Sequence, residues 1–233
     1  METKIPKIIH QIWIGPKKEP TIWTNTWKID YIAKYPEYQY ILWNDLNIVS
    51  VLNKHPNIKI MYELEELWSG KSDFLRYIIL YEYGGIYIDA DSVWINEKNL
   101  DELIDNTKEN GIFVAYEPDV NKITTGVMGS TKNNKILLNV ITELNYLIMY
   151  NDKISKRRFI RARKITGVPA LFGPYFFSNM CIDKVTIFPS HYFYPITWHG
   201  VSSIDQHKNM NLPKDSFMFQ YGYTTNNLEN FIQ

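Results

Sequence analysis

Ser72-Asp73-Phe74-Leu75-Arg76-Tyr77, followed after five residues by Tyr83-Gly84-Gly85-Ile86-Tyr87-Ile88-Asp89-Ala90-Asp91, is the stretch whose reading decides the fold. Leu75, Ile78, Ile79 and Leu80 mark the apolar face of a helix that Ser69 opens as a capping residue, with an acid in its first turn, and that Gly84-Gly85 stops. Ile86-Tyr87-Ile88 then reads as a buried strand ending on two carboxylates. The glycine pair folds helix back onto strand. Asp73 and Arg76, three residues apart on one helical face, are thereby aimed at the same place as Asp89 and Asp91. In an extended chain Asp89 and Asp91 point to the same side, at the strand end where open α/β sheets bind ligands, and can face one hard cation. A bare Asp-x-Asp is common at surface turns, and Asp73 with Arg76 can equally be an intrahelical salt bridge. Their joint spacing is what separates this segment from such a turn.

Outward from that segment the chain alternates. Lys7 to Ile14 is an apolar, β-branched run closed by Gly15-Pro16, and Pro20 to Tyr35 reads as a helix. Tyr38 to Trp43 is a second strand, and Asn44-Asp45 open a helix through Leu52. Ile112 to Tyr116 and Thr125 to Gly129 suggest two more strands, and Asn134 to Tyr150 an amphipathic helix. The last third is less regular, with aromatic runs at Phe172 to Phe177, Ile187 to Tyr194 and Phe217 to Tyr223. This is an α/β pattern. With no repeat, low-complexity tract or linker, we expect one domain over residues 1–233, with a donor-binding half at about 1–130 and the acceptor side and C-terminal segment at about 131–233.

The block from Ser72 to Asp91 resembles the signature of the DXD-containing glycosyltransferases of the Och1-like sugar-transferase family, glycosyltransferase family 32, which the glucosylating domains of large clostridial toxins share. Ile5-Pro6-Lys7-Ile8-Ile9-His10-Gln11-Ile12-Trp13-Ile14-Gly15 is similar to that family's N-terminal strand, and weaker echoes stand at Gly126 to Ser130, Gly173-Pro174 and Phe193-Tyr194-Pro195. The resemblance implies a GT-A-type, Rossmann-like mixed sheet flanked by helices. It implies transfer of a hexose or N-acetylhexosamine, with retention, from a UDP-sugar (favoured over a GDP-sugar) to a glycan, protein or small-molecule acceptor, assisted by Mn²⁺ or Mg²⁺. By that analogy Trp13 stacks on the donor base, and Asp73 and Arg76 hold the donor sugar. Asp89 contacts ribose or sugar and reaches the metal through water, and Asp91 ligates the metal directly. Asp73, Arg76, Asp89 and Asp91 are thus the candidate catalytic set. Tyr87 falls among the donor-side residues, although its place in the strand, like that of His10, also suits a structural role, and Trp13 can equally be a core aromatic at a strand end. Relatives usually add a metal ligand near the C-terminus, often His. Here that stretch reads Phe217-Met218-Phe219-Gln220-Tyr221-Gly222-Tyr223-Thr224-Thr225-Asn226, so Gln220, or a nearby Thr or Asn oxygen, is the candidate.

Composition narrows the alternatives. The chain has 233 residues, 45% of them hydrophobic, and 25 basic and 25 acidic side chains that cancel. Neither nucleic acid nor an anionic membrane is expected as the main partner of so balanced a chain. Aromatic residues reach 15%, including 17 Tyr and 7 Trp, and suit stacking on bases or sugars. The single cysteine, Cys181, allows no internal disulfide or thiolate metal site and reads as a core residue of a protein in a reducing compartment. The N-terminus lacks a secretory apolar core and no later run is long enough to span a bilayer, which leads us to expect a soluble, cytoplasmic protein. Glu117, at a strand end, is a candidate acceptor contact. Lys153 to Lys164 form a basic cluster, read as a solvated face or an attractor of an anionic acceptor. His191, His199 and His207 are too widely spaced for a local metal motif. The competing functions are a metal-dependent nucleotidyl or phosphoryl transferase and a non-catalytic glycan-binding relative.

Overall fold

The structure, a computed structural model, describes residues 4–116, 118, 122–148, 152–197, 201–223, 226 and 228. Its strands are β1 (Ile8–Ile12), β2 (Gln39–Trp43), β3 (Gly85–Ile88), β4 (Ser92–Trp94), β5 (Ile112–Tyr116), β6 (Ile123–Ser130), β7 (Thr186–Phe188) and β8 (Met218–Gln220). Six of them form one sheet in the order β2-β1-β3-β6-β5-β7, and β4 pairs with β8 in a separate ribbon. β2, β1 and β3 run parallel, β6 lies antiparallel between β3 and β5, and β7 is parallel to β5. The result is the expected mixed α/β sheet.

A helical run covers Thr21–Asn25 (α1), a π-helical stretch Thr26–Tyr31, and Ile32–Lys34 (α2), where one plain helix was expected. It is followed by α3 (Ile48–Leu52), α4 (Pro56–Leu64), α5 (Trp68–Tyr83), α6 (Asp101–Asp105), α7 (Lys135–Tyr146), α8 (Lys153–Thr166), α9 (Val168–Leu171) and α10 (Pro174–Cys181). The sequence pattern misses α4, α6, the short strands β4 and β8, and the series α8 to α10. α8 is too basic to show a core stripe, and the aromatic run before Cys181 masks a helical period.

Alternation along the central strands supplies both faces of the sheet. Ile112 and Val114 pack with Phe74, Leu75, Ile78 and Ile79 of α5 on one side. Phe113, Ala115, Ile86 and Ile88 pack with Trp27, Tyr31 and Leu103 on the other. α5 lies so deep that every residue from Asp73 to Leu80 is buried. Its start differs from expectation: the residue before the first turn is Leu67, no side chain caps it, and the first turn carries no acid. Glu65 instead accepts the Leu67 N–H at 2.8 Å. Its end is as expected, since Gly84 and Gly85 have φ of 66° and 98°, the left-handed region that favours glycine. Cys181 is buried in the main core, where burial pushes its thiol up to about 12, so it is an inert packing residue. No helix among the described residues is long and apolar enough to cross a membrane.

Candidate active site at the end of strand β3

β3 carries the chain out of the sheet at Asp89, whose N–H is held by the Gly126 carbonyl of β6 at 2.8 Å. Asp89 and Asp91 do not belong to an extended strand: the chain turns at Ala90 and Asp91 before β4 begins. Their convergence comes from that turn and from β8. Ser92 pairs with Gln220, which carries the Gln220 amide over the carboxylates. Gln220 Nε2 donates to Asp89 Oδ2 at 2.9 Å and reaches Asp91 Oδ1 at 3.4 Å. The Tyr223 N–H donates to Asp91 Oδ2 at 2.7 Å.

Arg76 enters from α5 and is fixed on every side. Its Nε donates to the Ser72 carbonyl at 3.2 Å, and its Nη1 to the Thr125 carbonyl at 2.6 Å and to Thr125 Oγ1 at 3.2 Å. Nη2 pairs with Asp73 Oδ1 at 3.1 Å and Nη1 lies 3.5 Å from Asp89 Oδ1. The intrahelical salt bridge therefore exists, and the same guanidinium also faces the carboxylate turn. Its plane sits 4.6 Å from the centre of the Tyr87 ring. The Tyr87 hydroxyl in turn donates to Asp89 Oδ1 at 2.6 Å. Burial, opposed by Arg76 and reinforced by Asp89, raises the Asp73 carboxyl to about 7. Burial and then the neighbouring Asp89 also raise Asp91, against the pull of the Tyr223 N–H.

Two cavities meet here. The first, about 370 Å³, is bounded by Trp13, Lys17, Trp68, Ser72 and Tyr223. The second, about 420 Å³, is bounded by Asp73, Thr124, Gly126, Tyr175, Tyr194 and Gln220. Arg76, Asp89 and Asp91 line both, and so form the waist between them. Trp13 stands just past the end of β1, half-buried, with its Nε1 donating to the Lys17 carbonyl and its ring edge-to-face with Tyr223. His10 is elsewhere and structural: its Nδ1 accepts from Trp43 Nε1 at 3.1 Å, and its Nε2 donates to the Gly84 carbonyl at 2.8 Å.

The residues at the waist fit a hard cation. Among the described residues no three His, Cys, Asp or Glu gather as a metal cluster, and the oxygen ligands that those residues offer here are two carboxylates and an amide. Gln220 Oε1 is buried without a hydrogen-bond partner while Nε2 bridges both carboxylates. Turning the amide over would present that oxygen to the same two groups, giving an all-oxygen set suited to Mg²⁺ or Mn²⁺. Asn226 is engaged with the Tyr221 carbonyl. Thr224, Thr225, Glu117 and His199 lie outside the described residues. His191 pairs with Asp215 and His207 with Tyr221, away from the waist.

Thr125, Gly126, Tyr194 and Gly173 belong to the site but had no role in the sequence reading. Their only signal was the weak echoes at Gly126 to Ser130, Gly173-Pro174 and Phe193-Tyr194-Pro195, because each acts through a backbone position or a contact with distant residues.

Sheet order and site together define a GT-A fold, with its carboxylate turn at the edge of a two-part cleft. Residues 24–109 match the family described as the glycosyltransferase sugar-binding region containing the DXD motif. Inositol phosphoceramide mannosyltransferase 3 of Schizosaccharomyces pombe is 34% identical over 143 residues, 60% of this chain and 37% of that protein. The chain thus spans a little over a third of that curated relative. Among solved structures, the PaToxG glycosyltransferase shares the fold with a TM-score of 0.57 and 24% identity, over 78% of this chain and 70% of the other. The catalytic domain of alpha-toxin from Clostridium novyi does so at 0.51 and 11%, over 100% and 81%. The match at residues 24–109 agrees with the resemblance to the DXD-containing sugar transferases, and the fold is shared with a clostridial toxin domain.

Proposed function

We propose that this protein is a metal-dependent, retaining glycosyltransferase that moves a hexose from a nucleotide sugar to a hydroxyl acceptor. The observation that carries the reading is the waist itself: Asp89, Asp91 and Gln220 converge between two cavities, with the Gln220 oxygen buried and unpartnered. The first cavity takes the nucleoside, with Trp13 supplying a stacking face, and the second takes the sugar and the acceptor. The curated relative is named a mannosyltransferase, so GDP-mannose joins UDP-sugars among the first donors to test.

Asp89, Asp91 and Gln220 would hold the cation, which when bound neutralises charge on the diphosphate and the leaving nucleotide. Arg76, already fixed by Thr125 and Asp73, presents its positive charge to the same oxygens without having to reorganise. Asp73 accepts from sugar hydroxyls and orients the ring. The leaving diphosphate takes the acceptor proton on the face it vacates, which gives retention without an enzymatic nucleophile.

The test pairs binding with turnover. Asp91→Asn should abolish transfer and donor hydrolysis and remove Mn²⁺ binding measured by titration calorimetry, while the fold melts normally. In the native protein, donor with Mn²⁺ at about a hundred times its Kd should stabilise by about 2.7 kcal/mol. Native turnover in Asp91→Asn, or release of pyrophosphate in place of a nucleoside diphosphate, would sink the assignment. Absence of any shift across UDP- and GDP-sugars would point to a non-catalytic relative.

A further inference from the structure

α8 carries seven of the chain's 25 basic side chains and no acidic one. The 25 basic and 25 acidic side chains of the whole chain cancel, so that concentration is a local one. Ser155 and Phe159 are its buried positions. Arg163 turns to Glu65, with Nη2 2.8 Å from Oε1 and Nε 3.1 Å from Oε2, and so ties the helix to the entry of α5. These contacts fix which face is inward. At about 100° per residue the opposite face runs Ile154, Arg157, Arg158, Arg161 and Ile165, all of them exposed. The two isoleucines are 62% and 74% exposed. Among the described residues none of these three arginines makes an ion pair.

The apolar members decide between occupants. Isoleucines beside the arginines add nothing to the binding of a soluble polyanion, and a nucleic-acid surface would interleave aromatics, whereas the one aromatic of α8, Phe159, points inward. Guanidinium groups flanking exposed aliphatic side chains are the composition of a helix lying in a membrane interface. We propose that α8 docks this protein on a bilayer surface rich in anionic phospholipid, with Arg157, Arg158 and Arg161 pairing with headgroup phosphates and Ile154 and Ile165 entering the interfacial region. Pro169, three residues past the end of the helix, lines the second cavity. If that cavity takes the acceptor, as proposed above, docking places the acceptor side beside the headgroups. The docking does not depend on that.

Co-sedimentation with sucrose-loaded vesicles tests it without donor or metal. The protein should pellet with phosphatidylcholine vesicles containing phosphatidylserine, stay in solution with phosphatidylcholine alone, and release as salt rises. R157Q/R158Q/R161Q should lower the partition coefficient on the order of a hundredfold. I154S/I165S should lower it roughly tenfold. Both variants change exposed positions and should melt as the native protein does. Failure to bind anionic vesicles, equal binding to neutral ones, or native binding by the arginine variant would overturn the proposal. So would binding that depends on the arginines, is competed by heparin and survives I154S/I165S, which would assign the face to a soluble polyanion.

Discussion

Gly126 stands where Asp89, Tyr194 and Gln220 meet, and a Cβ there would lie 2.8 Å from Asp89 Oδ2, 2.8 Å from the Tyr194 hydroxyl and 3.2 Å from Gln220 Oε1. Its backbone does not require glycine, so the substitution presses on functional groups and leaves the strand geometry acceptable. Gly126→Ala should cut kcat by roughly ten- to a hundredfold, the scale of a misplacement of about 1 Å, while the melting temperature stays within a few degrees. Steady-state kinetics beside calorimetry checks this. A large fall in melting temperature with unchanged kcat would refute it. At this scale the sequence was most legible for Asp73, Arg76, Asp89 and Asp91, because all four lie within one helix–turn–strand segment, whose spacing puts the first two on one helical face and the last two just past the strand end. It placed Gly126 and Thr125 in a strand but gave neither a role at the site, since a carbonyl or a missing side chain matters only through what the fold brings against it.

The helix–strand reversal between α5 and β3 depends on its two glycines. A Cβ on Gly85 would sit 2.6 Å from the Ile8 carbonyl oxygen and 2.9 Å from His10 Nε2, at a φ of +98°. Backbone strain of about 1–3 kcal/mol adds to overpacking of about 1–3 kcal/mol against β1. Gly85→Ala should therefore lower the melting temperature by roughly 5–15 °C in a domain of this size, read by differential scanning calorimetry. An unchanged melting temperature would mean that the turn tolerates a side chain. Elements with a clear apolar period or a glycine stop were readable in advance, as with β1, β3, α5 and α7. α8 was not, because its inward face is only Ser155, Phe159 and an ion pair to Glu65, too little apolar surface to leave a period.

His10 joins three parts of the molecule: it sits in β1, accepts from Trp43 of β2 and donates to Gly84 at the end of α5. Burial, only partly offset by the Gly84 contact, lowers it from 6.5 to about 4. The native state therefore keeps His10 neutral where the unfolded chain binds a proton. This contribution is fully present above pH 6.5 and is lost as pH falls toward 4, by up to about 3 kcal/mol. Urea unfolding across that range should show an acid limb that flattens in His10→Asn, whatever that variant's baseline stability. An identical limb in the variant would remove His10 as its cause.

The sequence by itself determined the α/β class and the grouping of Asp73, Arg76, Asp89 and Asp91 in one helix–turn–strand segment, because helix period, glycine stop and strand alternation act over a few residues. Only the tertiary structure decided that Asp89 and Asp91 converge through a turn under Gln220, that two cavities meet at Arg76, and that α8 shows a basic, aliphatic face outward. Those facts rest on contacts between residues up to 132 positions apart, such as Tyr223 with Asp91, and local pattern carries no information about which distant chain closes over a site.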